Sequence, residues 1–248
     1  PPSEEQIRQI RKMRYLFSGH EENWRPLVAP HHTSSFISMV GGGATLKPGE
    51  FTRAHEGLLL MDEYLEFDPK VQEALREPLL KGSLSVARAS GRAEWPSRFL
   101  LVATTNLCPC GLFVPENRSS CTCRLTRRKI YLERLSGPML DRFEIVAFSN
   151  AWYNKKNKVS SHEILERIER ARAFSKGSPT HERALRSLEP LAKAYFDNTN
   201  YLSPRRREHC LRVALSLADL SQRKRIGLEE IHKALTLSFQ SMDALRRS

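Results

Sequence analysis

Two adjacent acids, Asp62 and Glu63, close the string Gly57-Leu58-Leu59-Leu60-Met61-Asp62-Glu63. Carboxylates delivered to the end of a strand can serve a bound nucleotide: Asp62 can hold Mg²⁺, and Glu63 can orient the attacking water. The same string also fits a strand that ends in polar residues before a turn. Asn106, at the end of Phe99-Leu100-Leu101-Val102-Ala103-Thr104-Thr105-Asn106, is placed to position water or a γ-phosphate. Asparagine also favours strand ends as a turn former.

Four cysteines, Cys108, Cys110, Cys121 and Cys123, lie within sixteen residues, and Cys210 stands apart. Four thiolates so close can make a tetrahedral Zn²⁺ site. Cys-x-Cys is tighter than the usual Cys-x-x-Cys, and reduced, partly buried thiols are the other reading. In a cytosolic chain such clustering favours metal over disulfides. No convincing base accompanies them for nucleophilic catalysis. Adjacent His31 and His32 can bind metal or phosphate, or form a hydrogen-bonded loop pair.

Arginines form a third group. Arg142 precedes a predicted strand, where it can pair with Asp141 or Glu144 or project to a neighbouring subunit. Arg205, Arg206 and Arg207 fall in the first turn of a predicted helix. The helix dipole disfavours cations there, which points to an anionic ligand or to a solvated basic face. Arg88, Arg92 and Arg98 lie on or near a predicted hairpin over Gly82–Arg98, which can contact nucleic-acid phosphates or be a structural insertion.

The elements that must hold these residues follow from periodicity. The unalternated run at 58–61 suits a parallel strand buried on both faces, and open α/β sheets bind ligands at such carboxyl ends. Further strands are expected at 99–103 and 144–148. Ser3 with Gln6 caps a helix running to about Phe17, with Ile7, Ile10 and Met13 on one face. Residues 25–50 read as loop, with Gly41-Gly42-Gly43 letting the backbone approach something closely. Asp68-Pro69 opens a helix that Pro78 must end or kink. A basic helix is expected over 124–134. Residues 150–158 read as a linker, and everything beyond as helices with short connections, a small bundle. Their expected faces are Ile164, Ile168 and Ala171; Leu185, Leu188, Leu191 and Tyr195; and Leu211, Leu215 and Ala218. The domain expectation is therefore an α/β core over 1–150 and an all-α unit over 151–248.

Bulk properties are compatible with this reading. The 248 residues are 40% hydrophobic with a net charge of +12, which suits a polyanion partner such as DNA, RNA or nucleotide phosphates. No apolar run approaches the roughly 20 residues needed to cross a bilayer, so a cytoplasmic protein without membrane contact is the default expectation.

Several strings together resemble one family. Arg25-Pro-Leu-Val-Ala-Pro-His-His-Thr-Ser-Ser, Val40-Gly-Gly-Gly, Pro48-Gly-Glu, Ala54-His-Glu-Gly-Leu-Leu-Leu-Met-Asp-Glu and Cys108-Pro-Cys-Gly look like the ComM/YifB group of bacterial magnesium-chelatase-like AAA+ ATPases. The resemblance covers nearly the whole chain. It implies an α/β nucleotide-binding domain followed by a helical lid. Asp62 and Glu63 would be the Walker B acids, with Asp62 on Mg²⁺ and Glu63 as catalytic base. Asn106 would be sensor 1, Arg142 in Leu-Asp-Arg-Phe the arginine finger, and Arg205 in Ser-Pro-Arg sensor 2. The Gly82–Arg98 hairpin, with Arg88 and Arg92, would be the pre-sensor-1 hairpin of related helicases. ATP with Mg²⁺, single-stranded or branched DNA, and a homo-hexamer are the implied cofactors and partners. Branch migration during natural transformation is the implied role.

One departure is decisive. No glycine-rich loop ending in Gly-Lys-Ser or Gly-Lys-Thr occurs in the 248 residues, because no such pair follows Gly41-Gly42-Gly43. The chain thus resembles a carboxyl-terminal portion of the family, and alone it is expected neither to bind ATP tightly nor to hydrolyse it. Two other readings compete: the ATPase subunit of a metal chelatase, and a non-enzymatic zinc-stabilised adaptor with the same shape.

Overall fold

A computed structural model describes residues 2–18, 24–88, 91–113, 121–135, 137–148, 159–175, 177, 180–199 and 202–240. The expected linker at 150–158 lies outside the described residues. The chain divides into two compact units, Pro1–Arg142 and Phe143–Ser248. Among the described residues no helix is long and apolar enough to cross a membrane.

In the first unit, helix α1 spans Glu4–Ser18 and is capped reciprocally. The Gln6 amide donates to Ser3 Oγ at 3.3 Å, and the Ser3 amide donates to Gln6 Oε1 at 3.0 Å. Ile10 and Met13 are buried and Ile7 half-buried, as the spacing predicts. The stretch expected to be loop holds strand β1 (Leu27–Val28), helix α2 (Phe36–Val40), strands β2 (Gly41–Gly42) and β3 (Lys47–Pro48), and helix α3 (Glu50–Arg53). Pairs of two-residue strands carry too little periodicity to read in advance. The glycine run approaches its own chain: β2 pairs antiparallel with β3, and a Cβ on Gly41 would stand 2.6 Å from the Lys47 carbonyl.

Strand β4 covers Leu58–Met61. After it come helices α4 (Pro69–Ala74) and α5 (Arg76–Lys81), strands β5 (Ser83–Arg88), β6 (Gly91–Pro96) and β7 (Leu100–Ala103), and helices α6 (Leu125–Glu133) and α7 (Gly137–Leu140). The helix expected after Asp68 breaks at Leu75, just beyond Ala74, because the Pro78 ring collides with the carbonyl four residues before it. β5 and β6 form the expected antiparallel hairpin, with Leu84 and Val86 buried.

The central sheet is parallel in the order β1-β4-β7, with Leu58 opposite Leu100 and Met61 opposite Ala103. Its faces correct the expectation of burial on both sides. Leu59 and Met61 are fully buried, while Leu58 and Leu60 are half-buried. On the same face as Leu58 and Leu60, Leu27, Leu100 and Val102 are exposed. Side chains alternate along a strand, and the described elements cover one face. The third expected strand, 144–148, is absent among the described residues. That segment belongs to the second unit, where the Val146 amide donates to the Leu237 carbonyl at 2.8 Å.

The second unit is helical: α8 (Ser161–Phe174), α9 (His181–Ser187), α10 (Pro190–Asp197), α11 (Pro204–Leu220) and α12 (Leu228–Leu235). Ser160 and Glu163 form the expected capping box, and Ser203 caps α11. Leu211, Leu215 and Ala218 are buried as predicted, joined by Ala184, Ala192, Phe196, Ile226 and Ile231. Two predicted faces are corrected. Pro190 starts a new helix, so no single period runs from Leu185 to Tyr195; Leu185, Leu191 and Tyr195 are exposed, while Ala184, Ala192 and Phe196 face the core. On α8, Ala171 is buried but Ile164 is exposed. The Arg183 guanidinium ties α9 to α11 through both oxygens of Asp219, at 2.7 and 3.0 Å.

Candidate functional site

The site is built where β4 and β7 end together. Their register sets Met61 beside Ala103, so the next residues, Asp62 and Thr104, meet. The Thr104 hydroxyl donates to Asp62 Oδ1. The Thr104 amide donates to the Met61 carbonyl at 3.0 Å, and the Tyr64 amide donates to the Thr104 carbonyl at 2.8 Å. The Glu63 amide donates to Thr104 Oγ1 at 3.3 Å. One threonine thus pins the whole acidic turn to the neighbouring strand.

Glu63 is left-handed, with φ 52° and ψ 49°. A side-chain-bearing residue held there stores on the order of 1–3 kcal/mol of strain. Its carboxylate lies 3.2 Å from His32 Nδ1. The His32 ring stacks on His31 at 4.2 Å between centroids and meets Phe67 edge-on. The His31–His32 pair therefore belongs to this site, through a carboxylate partner the sequence did not disclose. His31 Nδ1 accepts from the Thr33 amide, so the proton shared at 2.8 Å comes from the Thr33 hydroxyl. Asp62 and Glu63 are both exposed.

Helix α6 braces the same turn. Arg134 Nη1 donates to the Leu65 carbonyl at 3.0 Å. Tyr131 reaches Glu66 and Thr105, and burial together with the Glu66 carboxylate pushes its hydroxyl pKa up to about 12. Asn106 is exposed two residues beyond Thr104, and a Cβ on Gly111 would stand 3.7 Å from its amide nitrogen.

Below the strand start lies a second polar group. Glu56 is 5% exposed, yet it takes Arg98 Nε at 2.7 Å, Gln6 Nε2 at 2.7 Å and Arg25 Nη1 at 3.8 Å. Arg98 is thus paired with Glu56 at the core edge, although its side chain stays 66% exposed. Arg92 is exposed near the hairpin turn, and the Arg88 side chain lies outside the described residues. His55 accepts the Arg98 amide at Nδ1, which leaves Nε2 to donate to Gln9 Oε1 at 3.0 Å. Burial holds the His55 pKa below its ordinary value. Gly57 follows because a Cβ there would stand 2.1 Å from the Pro26 carbonyl.

The arginines separate by use. Arg142 Nη1 donates to the Pro138 carbonyl at 2.6 Å, and Glu144, one of its expected partners, pairs with Arg212 at 3.1 Å. On α11, Arg206 donates to the Ser238 carbonyl, and Arg207 donates to the Phe196 carbonyl and Thr199 Oγ1. Those two serve their own unit. Arg205 is half-buried and, among the described residues, its side chain has no hydrogen bond or ion pair.

The four cysteines converge. Sγ of Cys108 lies 3.2 Å from Cys110 and 3.7 Å from Cys121, and Cys110 lies 3.7 Å from Cys121. With Cys123, all four sulfurs fall within 4.8 Å of one another. The Leu112 amide and the neighbouring Cys108 thiol hold Cys110 down to about 6. Cys210 is buried in the second unit, apart from this cluster.

Residues 4–157 match the family described as magnesium chelatase, subunit ChlI. An uncharacterized YifB protein of Escherichia coli K12 is 34% identical over 245 residues, covering 91% of this chain and 47% of that protein. An uncharacterized Mycobacterium tuberculosis protein is 36% identical over 244 residues, 89% of this chain and 47% of that one. The competence protein ComM of Haemophilus influenzae is 44% identical over 125 residues, 50% of this chain and 24% of ComM. The chain spans about half the length of the first two.

Proposed function

Since the chain belongs to the magnesium chelatase subunit ChlI family, in its ComM/YifB group, we propose that its whole protein is an ATP hydrolase acting on single-stranded or branched DNA. The observation that carries this is the acidic turn at the carboxyl end of β4, clamped by Thr104. An exposed carboxylate beside a hydroxyl is a hard oxygen donor set, which fits Mg²⁺. Bound with the nucleotide, Mg²⁺ would neutralise charge on the transferring phosphate.

The chain's own residues divide the remaining work. Asp62 would hold the ion, and Thr104 fixes the orientation of that carboxylate. Glu63 accepts the proton of the attacking water, and His32 holds it until substrate arrives. Asn106 orients the same water. Arg142 reaches the nucleotide of an adjacent subunit in a hexamer. Arg88 and Arg92 meet DNA phosphates. The phosphate-cradling loop comes from polypeptide beyond these 248 residues, so the chain alone turns over no ATP.

A second reading, the motor subunit of a metal-insertion complex, is favoured by the description of the matching family. The test measures ATPase activity and DNA binding of the full-length protein across salt. Phosphate contacts weaken steeply as salt rises. DNA-stimulated turnover with that salt dependence supports the first reading; turnover indifferent to DNA supports the second.

A further inference from the structure

We propose that Cys108, Cys110, Cys121 and Cys123 bind one Zn²⁺ as a structural centre that ties the segment after β7 to the start of α6. Zn–S bonds of about 2.3 Å in a tetrahedron set sulfur–sulfur edges of roughly 3.8 Å. The observed separations of 3.2, 3.7 and 3.7 Å approach that edge. A disulfide needs about 2.05 Å and joins sulfurs in pairs, whereas here one sulfur has two neighbours at similar range. Four soft thiolates in this arrangement select zinc among common divalent ions.

The surroundings are those of a held ligand set. The Phe113 amide donates to Cys108 Sγ at 3.3 Å, and the Gly111 amide to the Cys108 carbonyl at 3.0 Å. Such amide–sulfur bonds orient metal ligands. The Arg128 guanidinium of α6 lies 3.9 Å over the Phe113 ring. Four thiolates leave Zn²⁺ with two excess negative charges, and Arg124 and Arg127 line the surface beside Cys110 and Cys123. Cys108 follows Asn106 by two residues, and a Cβ on Gly111 would stand 3.7 Å from the Asn106 amide nitrogen. The ion therefore fixes the backbone that carries Asn106. Zinc binding itself does not depend on the ATPase reading.

The test is a Co²⁺ titration of the reduced, metal-stripped chain, followed by displacement with Zn²⁺. One equivalent should give the visible bands of tetrahedral thiolate cobalt, and Zn²⁺ should abolish them. Cys108→Ser and Cys123→Ser should each weaken binding more than about 100-fold, and Cys210→Ser should leave it unchanged. Zn²⁺ should slow deuterium uptake across 104–113. A folded chain, checked by circular dichroism, that gives no such bands overturns the proposal. So does binding equally strong in the serine variants, an iron-coloured protein, or a mass showing disulfides after reduction. Zinc bound without slower exchange at 104–113 overturns the bracing of Asn106 alone.

Discussion

Glu63 carries strain, and the partners around it account for the strain's persistence. The Glu63 amide is held by Thr104 and its carboxylate by His32. Thr104 also bonds Asp62, so one hydroxyl serves both acids. Thr104→Val should lower the full-length protein's affinity for MgATP about fivefold, the worth of one hydrogen bond near 1 kcal/mol, and Thr104→Ser should restore it. Nucleotide titrations at several Mg²⁺ concentrations would show this. Glu56 acts differently, as a buried charge held by Arg25, Arg98 and Gln6. Replacing it with alanine removes the carboxylate from Arg98 and Gln6 Nε2, while Arg25 keeps its bonds to the residue 56 carbonyl and to Gln6 Oε1, at 2.8 and 3.0 Å. A loss of about 2–4 kcal/mol is expected, below the range for fully buried pairs because the arginines are partly solvated, and urea unfolding of the chain would read it.

Two histidines make stability depend on pH. His209 is pushed down to about 4 by burial and by Arg212 and Arg206, and His55 is lowered by burial. The unfolded chain takes up these protons near pH 6.5, while the folded chain resists until about pH 4 for His209. Stability is therefore full above pH 6.5 and falls as pH drops through that window. His209→Gln should flatten part of this slope in thermal melts between pH 7 and 4.5.

At the scale of elements, the strands around the acids decide what the site can hold. β4 has one closed face and one that the described elements leave open. Leu59→Ala should cost about 2–5 kcal/mol as a core cavity. Leu100→Thr, on the open face, should change stability by no more than about 0.5 kcal/mol. Paired denaturation curves would separate the two faces. Periodicity disclosed α1, the hairpin, β4, β7 and α11, because each carries its own cap, turn or apolar run. It did not disclose β1 or the split between α9 and α10, where two-residue pairing and a single proline govern. Residues 144–148 are apolar enough for a strand, yet they pair with Leu237 far along the chain. The acid pair was legible because a strand end announces it. Its clamp was not, since Thr104 meets Asp62 only through the β4–β7 register, and His32 meets Glu63 only through a fold of the loop.

For the molecule as a whole, family membership and the acidic turn point the same way. The chain spans about half the length of its YifB relative, and no Gly-Lys-Ser/Thr loop lies within its 248 residues. The proposed activity is therefore one to be sought in the full-length protein. The net charge of +12 suits a polyanion partner; on the proposed reading that partner is DNA, and binding should lose affinity linearly in log salt. Arg92→Glu should reduce that slope by about one unit or more, measurable by fluorescence anisotropy on single-stranded and forked DNA.

The central claim is that Glu63 activates water on a nucleotide whose Mg²⁺ rests on Asp62. It is tested most directly by steady-state ATPase measurements on the full-length protein and its Glu63→Gln variant, with nucleotide binding measured alongside. The account predicts that kcat falls at least about 100-fold, the usual contribution of a general base, while MgATP still binds. Turnover undiminished in Glu63→Gln would contradict it.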